Sequence, residues 1–223
     1  LEIVGTGGDG SNSFNISTTA SIVISAAGVP VAKHGNRAAS SKSGAADCLE
    51  ALGVNITIEP EQSKTLLEEI GICSLSAQKY HPAMKYVGPI RKELGIRTIF
   101  NILGPVSNPS NATAAVIGVF SPTLTEPLAH SMKAMGVKRG MIVCGCDGMD
   151  EITLTGTTHI SEIKDDNVTS YDINPADYGL KITDAEQLKG GNGEENAETT
   201  KAILAGKETG AKRDIVLLNA GAA

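Results

Sequence analysis

Leu1-Glu2-Ile3-Val4-Gly5-Thr6-Gly7-Gly8-Asp9-Gly10 is the stretch on which the reading of the fold turns. Residues 1–4 suit a short buried strand, and the glycines after them let the backbone turn where any Cβ would obstruct it. An apolar helix is expected over residues 18–27, with Gly28 as its stop. A strand that passes through a glycine loop into a helix offers backbone N–H groups and a helix N-terminus to an anion. Asp9 within the loop disfavours a bare phosphate and suits ribose hydroxyls or a metal-bound pyrophosphate instead. Taken alone, the string equally marks an ordinary turn.

Outward from this loop, residues 29–32 read as a second short strand that delivers Lys33-His34-Gly35-Asn36-Arg37 at its carboxyl end. Helices are expected over 43–52, closed by Gly53, and over 61–70, 84–94 and 123–135, with strands over 54–58, 114–119 and 140–143. This alternation predicts an α/β fold with a mainly parallel central sheet wrapped by helices. A Thr-rich alternation over 151–163 predicts a hairpin or edge strand, so the sheet should carry a mixed or antiparallel edge. Residues 164–167 read as a polar loop, 188–195 as a Gly/Asn-rich connection and 197–206 as a last helix. Residues 214–219 read either as a helix start or as a buried segment. All 223 residues are read as one catalytic α/β domain.

Hydrophobic residues make up 41% and aromatics 3%, with 25 Gly, a balance that predicts small-residue packing rather than a scaffold of aromatic anchors. A net charge of −6 without any Lys/Arg-rich block argues against a nucleic-acid surface. No apolar run approaches the roughly 18 residues of a membrane span, and no signal peptide precedes the glycine loop. Cys48, Cys73, Cys144 and Cys146 form neither a CxxC pair nor a zinc spacing, so a reduced, cytoplasmic protein is expected.

Asn15-Ile16-Ser17-Thr18-Thr19 places more short hydrogen-bonding side chains at a helix start than one cap requires, although a cap plus a solvated first turn would also account for them. Lys33, His34 and Arg37, followed by Ser40, Ser41 and Ser43, suit an anion pocket, against the alternative of a solvated face. His34 is a candidate base, with no nucleophile near it in sequence. Asp147-Gly148-Met149-Asp150-Glu151 follows a predicted strand and suits Mg²⁺, or else is a charged turn. Arg91 offers a planar fork to a carboxylate, or is a solvated helix residue beside Lys92 and Glu93.

Six segments in order resemble the anthranilate phosphoribosyltransferase family: Gly5-Thr6-Gly7-Gly8-Asp9, Asn15-Ile16-Ser17-Thr18, the run from Lys33 to Ser41, His81-Pro82-Ala83-Met84, Phe100-Asn101-Ile102-Leu103-Gly104-Pro105 and Asp147-Gly148-Met149-Asp150-Glu151. The resemblance implies transfer of the phosphoribosyl group from phosphoribosyl pyrophosphate to the amine of anthranilate, a step of tryptophan biosynthesis. It implies that Gly5, Gly8, Asp9, Ser13, Asn15, Ile16, Ser17, Thr18, Lys33, His34, Gly35, Asn36, Arg37, Ala38, Ala39, Ser40 and Ser41 hold phosphoribosyl pyrophosphate. Two Mg²⁺ ions would sit on Ser17, Asp150 and Glu151, anthranilate would meet Gly5, His34, Asn36 and Arg91, and Lys33, His34 and Arg37 would serve catalysis.

The resemblance also implies a homodimer formed through a small N-terminal helical domain, which this sequence does not contain; the chain is expected to be trimmed at both ends. Ala45, where the family often has Ser, and Gln78, near the anthranilate channel, depart from the pattern. Two rival readings are a pyrimidine nucleoside phosphorylase, whose Lys-His-Ser-Thr-Gly-Gly phosphate loop is missing here, and a non-catalytic nucleic-acid-binding homologue, which the net charge opposes.

Overall fold

Short apolar runs become the strands of this molecule, and glycines or polar side chains stop them. A computed structural model describes residues 1–37, 42–94 and 98–223, with positions 91, 92 and 94 described by their backbone alone. Strands β1 (Glu2–Gly5), β4 (Ala114–Gly118) and β5 (Arg139–Gly145) lie side by side and parallel. Strands β6 (Thr158–Lys164) and β7 (Asn167–Ile173) add antiparallel neighbours, giving one sheet of order β1-β4-β5-β6-β7. A second parallel pair, β2 (Val31–Gly35) with β3 (Ile72–Ser76), joins the first sheet where Ala32 N–H donates to the Leu1 carbonyl at 3.0 Å. The expected parallel sheet with an antiparallel edge is therefore present.

Helices cover both faces, as a buried parallel sheet requires. On one face Ile16, Ala20 and Ile24 of α1 (Ile16–Ala26) and Ile215 and Val216 of α9 (Ala211–Ala222) pack with Ile3, Val116, Val143 and Ile160. On the other, Leu128, Ala129 and Met132 of α7 (Thr125–Ala134) meet Ile117, Ile142 and Ile163. Each of the Val, Leu, Ile and Met side chains among these contributes about 1.5–3 kcal/mol by leaving water. The remaining helices are α2 (Ala45–Ala51), α3 (Pro60–Ile70), α4 (Ala77–Tyr80), α5 (Met84–Leu94), α6 (Phe100–Val106) and α8 (Gly193–Leu204).

Residues 54–58, expected as a strand, form turns. Asn55 Oδ1 accepts from both the backbone N–H and the hydroxyl of Thr57, a local closure that competes with strand pairing. The second strand begins at Val31 rather than at 29, after Pro30, which has no N–H to give a ladder, and so Lys33 and His34 lie inside it. Strand β3 and helix α6 have no counterpart in the expected elements. Of the alternating segment 151–163, the first seven residues are irregular. The hairpin is instead β6–β7, closed by Asp165 and Asp166 at φ 49 and 61, the primed turn that matches strand twist. The segment around 214–219 is helix, within α9.

Candidate active site

Gly5 and Gly118 face each other in register at the carboxyl ends of β1 and β4. A Cβ on Gly5 would lie 2.3 Å from Asp150 Oδ2, and one on Gly118 would lie 1.6 Å from the Asp150 carbonyl oxygen. The paired glycines thus leave a notch that Asp150 fills. There its Oδ2 accepts from Gly7 N–H at 2.6 Å and its own N–H donates to Asp9 Oδ2 at 3.4 Å. Burial pushes the Asp150 carboxyl up to about 7, the nearby Asp9 charge adds to this, and the Gly7 N–H opposes it. Carboxyl ends of parallel strands are where open α/β sheets bind ligands.

Ser17, in the first turn of α1, joins the cation to the carboxylates. Lys33 is 2% exposed, and its Nζ donates to the Ile3 carbonyl at 2.7 Å and to Ser17 Oγ at 3.2 Å. The Ser17 N–H donates in turn to Glu151 Oε1 at 3.2 Å. Burial pushes Glu151 up to about 8, and Asp150 adds to the shift while Lys33 and the Ser17 N–H oppose it. Burial lowers the Lys33 ammonium from its ordinary value, against the pull of Glu2 and Glu151. Glu2, also buried, accepts the His34 N–H at 3.1 and 3.3 Å.

The His34 ring sits edge-on to His81, with their Nε2 atoms 3.1 Å apart. Burial first, and then His81, push His34 down to about 4, so it is neutral at neutral pH. The side chain of Asn15 is fixed by Ser43 and Asn196, whose donors both reach its Oδ1. Ser13 Oγ accepts from Ser11 Oγ, while Ile16 and Thr18 are buried and belong to the seat of α1 rather than to an open surface. Gly8, at φ 73, has Asn101 Nδ2 4.0 Å from where its Cβ would be.

Arg37 is separated from Lys33. Its guanidinium is exposed and held on α2, by Glu50 at 2.6 and 2.8 Å and by Asp47 at 3.1 Å. Asn36 is exposed too, its Oδ1 taking the Arg37 N–H. Ala38, Ala39, Ser40 and Ser41, and the side chain of Arg91, lie outside the described residues. The structure therefore brings together Gly5, Asp9, Ser17, Lys33, Asp150 and Glu151, with His34 beside them. Sequence reasoning missed Gly118, Glu2 and Asn196. A glycine ending an apolar strand and a charge inside one were the available signals for the first two, and Asn196 had none.

Among the described residues no three His, Cys, Asp or Glu side chains form a ready-made metal centre. The donor set of Asp9, Asp150, Glu151 and Ser17 is nevertheless all oxygen, and a bound cation would favour the ionised forms of its buried acids. It fits Mg²⁺, which commonly takes one or two carboxylates and completes its shell with water and substrate phosphates.

A family model described as "Glycosyl transferase family, a/b domain" matches residues 1–223. The chain belongs to this family. As a glycosyl transferase domain it is 60% identical over its whole length to the anthranilate phosphoribosyltransferase of Methanobrevibacter smithii, and 56% identical to that of Lacticaseibacillus casei. It spans 66% of the first relative's length and 65% of the second's. Among solved structures, the anthranilate phosphoribosyltransferase of Thermus thermophilus superposes with a TM-score of 0.93 at 48% identity, over 100% of this chain and 66% of that one. The Saccharomyces cerevisiae enzyme in complex with PRPP and Mg gives 0.91 at 34% identity, over 99% of this glycosyl transferase domain and 62% of the yeast chain.

Proposed function

We propose that this domain carries the phosphoribosyl-transfer site of an anthranilate phosphoribosyltransferase. The observation that carries the reading is Ser17, which bonds Lys33 on one side and Glu151 on the other, next to Asp150 in its glycine notch. A cation and two carboxylates converging on one backbone turn suit a substrate that brings both a diphosphate and a metal. The relatives named above and the yeast complex support the same substrates.

In this reading Gly5, Gly8, Asp9, Ser13, Asn15, Ile16, Ser17, Thr18 and the run 33–41 surround phosphoribosyl pyrophosphate. Ser17, Asp150 and Glu151 would hold two Mg²⁺ ions, which when bound would supply positive charge for the pyrophosphate. The bond from the anomeric carbon to pyrophosphate breaks, a bond to the amine nitrogen of anthranilate forms, and the nitrogen releases one proton. Lys33 supplies fixed positive charge from β2, and Arg37 adds to it on the departing pyrophosphate. An aromatic amine is neutral at neutral pH, so positioning supplies much of the acceleration and no covalent nucleophile is needed. Neutral His34 offers hydrogen-bonding without adding charge, and Arg91, Asn36 and Gly5 line the place of anthranilate, with Arg91 on its carboxylate. The whole protein works in the cytoplasm as a homodimer.

The test follows anthranilate fluorescence in the protein that contains this domain. Loss of signal should require phosphoribosyl pyrophosphate and Mg²⁺ together; anthranilate left untouched with both present overturns the proposal. Arg91→Ala should raise KM for anthranilate with kcat little changed.

A further inference from the structure

Residues 11–15 form no helix or strand, yet a segment from the far end of the chain holds them in place. Ser13 makes an antiparallel bridge with Lys189, Phe14 N–H donates to the Leu188 carbonyl at 3.2 Å, and Gly190 N–H donates to the Asn12 carbonyl at 2.9 Å. Gly190 is required for this approach, since a Cβ there would lie 2.5 Å from Phe14 Cα and 2.7 Å from Asn196 Oδ1. The Gly/Asn-rich stretch that reads in sequence as a mere connection is thus a strap over the glycine loop's exit.

Asn196, on α8, ends the strap and is 1% exposed. Its Oδ1 accepts Gly191 N–H at 2.8 Å, which fixes its amide, and its Nδ2 donates to Asn15 Oδ1 at 2.8 Å. Ser43 Oγ donates to the same Asn15 oxygen at 3.0 Å. With two donors on Oδ1, the end of the Asn15 amide left for a ligand is Nδ2, whose contact with the Ser43 carbonyl is 3.5 Å. A side-chain amide can present either a donor or an acceptor, and only the donor suits a phosphate oxygen.

We infer that Asn196 is a positioning residue that locks the Asn15 amide with its N–H₂ group toward the phosphoribosyl ligand. The inference rests on the reading above that Asn15 touches phosphoribosyl pyrophosphate. Without the lock, the amide can turn over and set an oxygen against a polyanion.

Asn196→Asp tests this, because it keeps an acceptor for Gly191 N–H while placing an oxygen against Asn15 Oδ1. With Mg²⁺ present, KM for phosphoribosyl pyrophosphate should rise about 10- to 100-fold and KM for anthranilate should stay within about twofold, while the melting temperature should fall because the new carboxylate is buried. An unchanged KM for phosphoribosyl pyrophosphate overturns the inference, as does an equal rise for both substrates, which would mean general loosening. If Asn196→Asp does not fold, Ser43→Ala decides by the same criterion, with a selective rise of a few-fold supporting the lock and no rise refuting it. The wild-type arm separates the two readings: absence of any turnover there sinks the proposed function, whereas normal turnover in wild type and variant alike sinks only the role of Asn196.

Discussion

Asp147 and Asp150 stand three residues apart in one acidic string, and the fold uses them in opposite ways. Asp147 closes its own turn. It is exposed, with Oδ1 accepting from Met149 N–H at 3.0 Å and Oδ2 from the hydroxyls of Thr153 at 3.1 Å and Thr155 at 2.7 Å. Asp150 is buried and reaches back to Gly7 at the start of the chain. Gly148, at φ 82, makes the reversal that sends the two carboxylates to different surroundings. A carboxylate that meets hydroxyls close by becomes structural, and one that is buried in a glycine notch has its hold on a proton raised and is left for something else.

The harshest way to break this contrast is Gly118→Ala. A methyl group there must displace the Asp150 backbone, so unfolding in urea should show a loss of about 3 kcal/mol, and transfer activity should go with it. Next comes the pair Asp150→Asn with Glu151→Gln. Turnover in the proposed reaction should fall at least about 100-fold while thermal stability holds or rises, because two buried acids whose ionised forms the fold disfavours become neutral amides. A clear loss of stability with activity intact would reverse the assignment of the two ends of the string. Asp147→Ala should behave oppositely, losing about 1–2 kcal/mol in urea titration with turnover changed by no more than a few-fold.

A pH titration sharpens the comparison with a buried acid away from the notch. Burial pushes Glu2 up to about 8, against the pull of Lys33, the His34 N–H and the α-amino group of Leu1; Cys73 also lies within range of its charge. A carboxyl whose folded pKa is raised gives stability that is fully present below its unfolded pKa and fades as pH rises through the folded one. The folded state binds the extra proton, at most about 1.4 kcal/mol per pH unit. Melting temperature should therefore fall more steeply between about pH 5 and about pH 8 in the wild type than in Glu2→Gln. Parallel curves would show that Glu2 does not titrate there.

Much of the fold was legible because strands β1, β4 and β5 are apolar runs and helices α1, α3 and α7 carry ordinary stop signals. Strand β3 was not, since Ile-Cys-Ser-Leu-Ser is short and half polar, and its pairing with β2 is a tertiary fact. The stretch 54–58 misled because Val54 and Ile56 alternate like a strand, while Asn55 closes a turn between them. At the site, Ser17, Lys33, Asp150 and Glu151 could be named from sequence, but Lys33 and Arg37 could not be told apart. Only the α2 carboxylates Asp47 and Glu50 distinguish the cation held on an exposed helix from the one sealed inside a strand.

The register of Gly5 with Gly118 also dictates an order of assembly. Strand β1 must wait for β4 before it has a neighbour in its own sheet, for residue 150 before its notch is filled, and for the strap near residue 190 before the loop beyond it is pinned. Pairings this remote along the chain form slowly. The glycine loop, which precedes all of these partners along the chain, is therefore among the last parts to become rigid.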